Sequence, residues 1–510
     1  MATQRILLPI LGQDFSIPST LLNEKSSFGQ NIKQDNGVLR QREGHEVFGN
    51  QTPMNEEIIH TTRYQQENGT LKLVRLSSLK SQAYNDGTKD WDDITKSGTD
   101  WSGTAGINYF SSIIFNNELL ITNGVDSIQK WTGAGLCTDL DGSPPIAKFM
   151  EEFGEYVVLA NVVDTGVDYP FRIQWCNTAD STDWLTGNAG YIDLTEDDGV
   201  EITGIKRLND LYVVFKENAI YTVILVDTVD VMNANLIVSN INLLNNRCVV
   251  TYNGLMYFMS DDCNVYIFNG TTASPIGDKV KTQIYNNLNK SRKSTCWARR
   301  NVLRKTIQFY ITTDSNNYPT ESWHFSYEDG SVFYDTCNNV SCATTFKNTD
   351  SQESWDSDPN PWDTDTTIWD FGLGGTGFKQ IIAKTDGYIY EEKEELLNDA
   401  NASVDVAIDE QYVTPDLTFS QYENFVRFLG SQLWVTGDSV SISYSIDFGT
   451  TWEDIAQLED LPSSFTEMVP IWFDVKNPFI RFRFRNNKLD EKFDFKQLSL
   501  EGNIEELLYT

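Results

Sequence analysis

INYFSSIIFNNELLITNGVDSIQKW (107–131) and EYVVLANVVDTGVDYPFRIQWCNTADSTDW (155–184) carry one layout twice. A hydrophobic run leads through a tight turn into a second strand, and a Trp closes an Asp/Gly-rich segment. Asn116-Asn117 and Thr165-Gly166 occupy the turns. Short runs with alternating apolar residues read as half-buried strands, and Asn, Asp and Gly between them supply the positive φ of hairpins. Self-similar units of roughly 40 to 50 residues predict a β-propeller, because one four-stranded blade cannot bury its own apolar face and must stack on neighbours.

Working outward, the same pattern runs through LKLVRLSSLKSQAYNDGTKDW (71–91), ITGIKRLNDLYVVFKENAIYTVI (202–224), VVTYNGLMYFMSDDCNVYIFNG (249–270) and IIAKTDGYIYEEK (381–393). Counting turns gives six to seven blades over residues 71–400. Residues 1–70 read as an N-terminal arm of extended segments. DKVKTQIYNNLNK (278–290) places Val280, Ile284 and Leu288 at helical spacing, predicting one short helix between strands. Beyond residue 411 the period lengthens, and Arg481, Arg483 and Arg485 alternate with Phe482 and Phe484. Residues 411–510 are therefore expected to form a C-terminal β-sandwich. The fold class is all-β.

At 510 residues the chain exceeds the size at which one core stops growing, and a propeller solves this by growing radially. Its net charge of −34 excludes a conventional basic nucleic-acid surface, since phosphate contacts need Lys or Arg to displace counterions. Contact with DNA as moving cargo is compatible with it. Seven cysteines without a CxxC predict reduced thiols and neither a disulfide framework nor a zinc site. ILLPIL (6–11) is too short and too interrupted by Pro9 for a signal peptide. A soluble protein made in the cytoplasm, without membrane insertion, is expected.

The motifs point to structure more than to catalysis. Ser445, Asp447, Gly449 and Trp452 match the Asp-box pattern S-x-D-x-G-x-x-W, which folds a hairpin through side-chain bonds to its own turn. Phe171-Arg172-Ile173 resembles the arginine segment of sialidases, yet Gln174 stands where that segment has Pro. A carbohydrate-binding or sialidase-like propeller is the alternative reading. Only His45, His60 and His324 exist, without metal-ligand spacing. Arg299, Arg300 and Arg304 form the strongest basic cluster, expected to pair with acidic neighbours or another subunit and also able to touch phosphate. Residues 350–370 carry seven acidic side chains and no basic one, among them Asp350, Asp356, Asp358, Asp363 and Asp365. They read as an insertion loop, and the order of a calcium loop is missing. No cofactor or metal is predicted.

The order NNELLITNGVDSIQKWTG, SPPIAKFMEEFGEYVVLA, FRIQWCNTADSTDWLTGNAGYIDL, ITGIKRLNDLYVVFKENAIYTV and GLMYFMSDDCNVYIFNG is similar to β-propeller proteins of tailed-phage virions, a family of tail nozzle and packaged-DNA stabilisation proteins. The resemblance implies a non-enzymatic virion protein of the tail. It implies a homo-oligomer, a hexameric ring below portal and adaptor, with a lumen that retains and then conducts DNA. Six copies would carry on the order of 200 negative charges. A wall of that sign lets a polyanion slide, and Glu196, Asp197 and Asp198, with the 350–370 acids, are the candidate contributors.

Overall fold

The computed structural model describes residues 2–4, 12–16, 22, 28–49, 53–69, 71–196, 201–226, 230–347, 378–419 and 424–507. Six consecutive four-stranded antiparallel sheets span 58–93, 111–139, 146–193, 202–239, 249–275 and 297–336. A seventh begins with Val340–Lys347, Phe378–Lys384 and Ile389–Lys393 and takes its fourth strand, Gly44–Val47, from the other end of the chain. The hairpin Asn398–Asn401/Val404–Ala407 extends this sheet further outward.

The second strand of the third sheet shows why the sheets stack. Tyr156–Asp164 is buried from Tyr156 through Val162. Because side chains alternate across a strand, Tyr156, Val158 and Ala160 enter the core shared with the fourth sheet and Val157 and Leu159 the core shared with the second, which Val162 also enters because the register shifts at Asn161. A strand apolar on both faces needs a neighbour on each side. Seven such cores, one between each adjacent pair, run around the molecule. The last joins Ile58, Leu73 and Trp91 of the first sheet to Phe346, Ile381 and Ile389 of the seventh, so the ring is closed. The fold is a seven-bladed β-propeller.

The predicted turns form with the predicted geometry: φ is +50° and +63° at Asn116 and Asn117, and +48° and +79° at Thr165 and Gly166. The short helix is Lys281–Asn287, and Val280, Ile284 and Leu288 are buried beneath it.

A two-sheet sandwich completes the chain. One sheet contains Asn424–Gly437, Val469–Asn477 and Phe493–Leu507; the other contains Glu410–Val413, Ser439–Ser445, Glu453–Glu459 and Arg481–Asn486. The N-terminal arm is worked into both bodies. Ala2–Gln4, Ile32–Asp35 and Val38–Gln41 join the first sandwich sheet and Phe28–Gln30 the second, before Gly44–Val47 closes the seventh blade.

One boundary differs from expectation. The first blade starts at Ile58, inside the span assigned to the arm, because its innermost strand IIHTTRYQ carries polar residues that hide the apolar alternation. Strand pairing of the arm with residues several hundred positions away leaves no local signal. The 350–370 insertion falls between two adjacent strands of the seventh blade, outside the described residues.

Candidate functional site

The segments leading into the innermost strands of blades two to six surround an axial pocket of about 350 Å3. Its centrepiece is Arg247, in the short 3-10 turn Asn246–Cys248 ahead of the fifth blade. The Asn245 side chain accepts from the Arg247 backbone N–H at 2.7 Å and fixes the turn. The guanidinium lies 4.1 Å over the Tyr109 ring, before the second blade, and donates to the Ser341 carbonyl of the seventh. One side chain thereby ties three blades together across the axis. His60, on the innermost strand of the first blade, bonds the Ser112 hydroxyl at 3.0 Å. Burial, with the Arg247 charge nearby, pushes its imidazole down to about 3, so it is neutral near pH 7. At the rim of the pocket Lys148 pairs with Glu201, which also accepts from Asn161 at 2.9 Å. This is a braced, largely satisfied axis. Among the described residues no cluster of three or more His, Cys, Asp or Glu is arranged to hold a metal.

The structure separates the basic cluster. Arg299 points inward from the strand Trp297–Asn301, with its guanidinium 2.6 Å from Glu392 and 2.7 Å from Gln308. Arg304 bonds Asp335 and the Ile32 carbonyl at 3.0 Å and faces Glu43 at 3.7 Å. Burial alone would raise the Glu43 carboxyl; Arg304 and Lys33 overcome it and hold the group low. The same buried cavity takes in Arg42, bidentate to Asp399, and His45, 2.9 Å from Asp399. Arg299 and Arg304 thus hold the seam between blades six and seven and the N-terminal strand, where neither can reach phosphate. Arg300 alone is half-buried, stacked 3.8 Å from the Tyr252 ring.

Among the candidate acids, Glu196 is exposed just past Gly190–Asp193, the outermost strand of the third blade, and so lies far from the propeller axis. Asp197, Asp198, Asp350, Asp356, Asp358, Asp363 and Asp365 lie outside the described residues.

The Asp-box residues converge on the turn between Ser439–Ser445 and Glu453–Glu459. Ser445 donates to Asp447 at 2.7 Å and accepts from the Gly449 N–H at 2.9 Å; Asp447 accepts from the Thr451 N–H at 2.9 Å and hydroxyl at 2.6 Å. Gly449 has φ of +89°. These bonds hold the Asp447 carboxyl down at about 2. Trp452 lies under the Arg483 guanidinium at 4.6 Å. On the neighbouring strand Phe482 and Phe484 enter the sandwich core, while Arg481 bonds Asp416 and Arg485 bonds Asp409 on the other face.

Arg172 of the FRI triplet is bidentate to Asp193 at 2.7 and 2.9 Å and sits between the Tyr169 and Tyr191 rings at 3.7 and 3.8 Å. It belongs to the third strand of its blade and does not enter the axial pocket. Sequence reasoning missed Arg247, Arg42, Glu43 and Asp399, which look like ordinary polar residues until distant strands meet.

No family model and no curated relative matches the chain. Among solved structures it is similar to BamB from Moraxella catarrhalis, at 9% identity over 71% of this chain and 94% of that one, with a TM-score of 0.38. It is similar to YCF48 from Cyanidioschyzon merolae, at 12% identity over 69% and 99%, TM-score 0.37. The computationally designed Ika8 protein gives 10% identity over 76% and 99%, TM-score 0.37. At these scores the likeness adds nothing to the architecture read from the strand pairing.

Proposed function

We propose that the chain is a structural protein of a tailed-phage virion, assembling as a ring in the tail and serving as a conduit for DNA. The observation that carries this reading is the placement of the phage-like segments. They fall in chain order on blades two, three, four and five, as the resemblance requires of consecutive blades. Two further features support it. The conspicuous cationic side chains Arg172, Arg299 and Arg304 are engaged by carboxylates, leaving the charge balance of −34 to dominate the exterior. The arm stitches propeller and sandwich at several strands, which suits a part that bears load.

In this reading the acidic wall works by not binding: a polyanion that meets no fixed cations slides without releasing counterions at each step. The carbohydrate alternative draws less support, because Arg172 would have to leave Asp193 and two tyrosine rings to meet a sugar carboxylate. Mass spectrometry of purified, nuclease-treated particles encoded by the same genome tests the proposal. Several copies of this chain per particle are expected, and particles that are infectious and free of it would overturn it.

A further inference from the structure

We propose that the outer edge of the fourth blade, flanked by the rim of the fifth, is the face on which a second copy of this chain docks. The inference rests on the ring reading above and names the surface that reading leaves open. The strand Met232–Ser239 is the last of its sheet: one flank pairs with Ala219–Leu225, and no described strand pairs with the other. Its eight residues span about 27 Å of backbone N–H and C=O groups.

Exposed edges are ordinarily blunted by charge, by proline or by a covering segment. Blades one to three carry acids at their outer strands or just past them: Asp92 and Asp93, Asp139 and Asp141, Asp193 and Glu196. The sixth is covered by the arm, whose Asn31 N–H donates to Tyr334 and whose Gln13 N–H donates to Val332. The seventh is capped by Gly44–Val47 and the hairpin beyond it. The fifth ends in the three-residue strand Ala273–Pro275, short and closed by a proline. Among the described residues the fourth has only Asp230, two positions ahead of its outer strand, and no charge, proline or covering segment along the strand itself.

The surrounding sequence is cleared of charge as well. Residues 231–246 and 263–277 contain no acidic or basic side chain in a chain that is 22% charged. The other comparable stretch, 101–117, runs into the innermost strand of the second blade and faces the axis. At the fourth blade Leu236 is 39% exposed, Leu225 is 41% exposed, and Asn233, Asn235 and Ser239 face solvent. Ile237, Val238, Ile241 and Tyr266 are half-buried alongside.

The occupant follows from the charge. Two copies at −34 each repel wherever their acidic surfaces approach, so a self-contact favours the stretch from Val231 onward, past Asp230, where the acids give out. A basic partner would instead select the acidic rims of blades one to three. Backbone groups that no described strand pairs, beside an apolar stretch without charge from 231 to 246, fit a strand or loop of another copy.

Sedimentation equilibrium of the full-length protein at low and high salt tests this with two triple variants. One puts acids on the proposed face, Asn235→Asp, Leu236→Glu and Ser239→Asp; the control puts them on the exposed rim of the second blade, Ala134→Asp, Leu136→Glu and Thr138→Asp. Wild type and control should associate, more tightly as salt screens the repulsion, and the first variant should associate at least about tenfold more weakly. Amide exchange across Met232–Ser239 in the wild type should slow on association, a readout that needs no variant. If the first variant associates as tightly as wild type, or exchange there is unchanged in the oligomer, the docking face is wrong while the ring reading stands. A wild type that stays monomeric at every salt and concentration overturns the docking face, and particle content then judges the ring reading separately.

Discussion

Single residues differ sharply in what their removal should cost. Arg304 sits between Asp335 and Glu43, all three nearly inaccessible to solvent. Arg304→Ala takes the hydrogen-bonded cation from the buried Asp335 and leaves Glu43 to Lys33 alone, and should lower stability by about 3 kcal/mol in urea unfolding. Arg300→Ala, which loses a half-exposed stack on Tyr252, should cost only about 0.5–1 kcal/mol by the same measurement. Asp447 supplies a pH signature. Its carboxyl is held at about 2 in the folded protein and returns to about 3.9 on unfolding. The folded state therefore binds the proton less well, and the contribution of this group is complete above pH 4 and lost as pH falls toward 2. Asp447→Asn should flatten the fall of the thermal midpoint across that window; an unchanged profile would separate the carboxylate from the turn's stability. All seven cysteines are unpaired, and burial raises each thiol, to about 12 at Cys137 and about 11 at Cys176, Cys263 and Cys296. Native protein should resist a thiol reagent near pH 8, and all seven should label in denaturant.

At the scale of elements, the joint most exposed to test is the strand Gly44–Val47. It pairs with Ile389–Lys393 on one side and meets Asn398–Asn401 on the other. A Cβ on Gly44 would run into the Asn398 carbonyl oxygen and come within 2.8 Å of that of Leu396. Gly44→Ala should cost about 1–3 kcal/mol. Amide exchange should quicken in Ile389–Lys393 before it does in the third blade, which has no part in the closure. Elements whose cause is local were legible in the sequence. The hairpin at Asn116-Asn117, the helix beneath which Val280, Ile284 and Leu288 pack, and the Arg/Phe alternation of residues 481–485 all follow from side-chain periodicity or turn chemistry. The closure was not legible, because nothing in GHEV announces a partner more than 340 residues away. The first innermost strand was missed for a related reason: Thr61, buried and polar, breaks the apolar pattern that marks the other blades. The site was read least well, since Arg299 and Arg304 look like surface cations until Glu43, Asp335 and Glu392 arrive from separate segments of the chain.

The whole molecule combines a closed ring of blades, a sandwich stitched to it and a strongly negative surface. If the sign of the wall governs DNA passage, replacing Glu196, Asp197 and Asp198 by Lys should leave folding nearly intact, the change at exposed Glu196 costing within about 0.5 kcal/mol. Genome release from single particles carrying that chain should slow, and the slowing should weaken as salt rises, since each new phosphate contact works by counterion release. Equal release rates at low salt would return the acidity to a role in solubility. Electron cryo-microscopy of the tail tests the central claim most directly. The account predicts a ring on the DNA axis whose repeating unit is a seven-bladed disc joined to a β-sandwich. A complete tail reconstruction from particles encoding this chain, with every density assigned to other proteins, would contradict it.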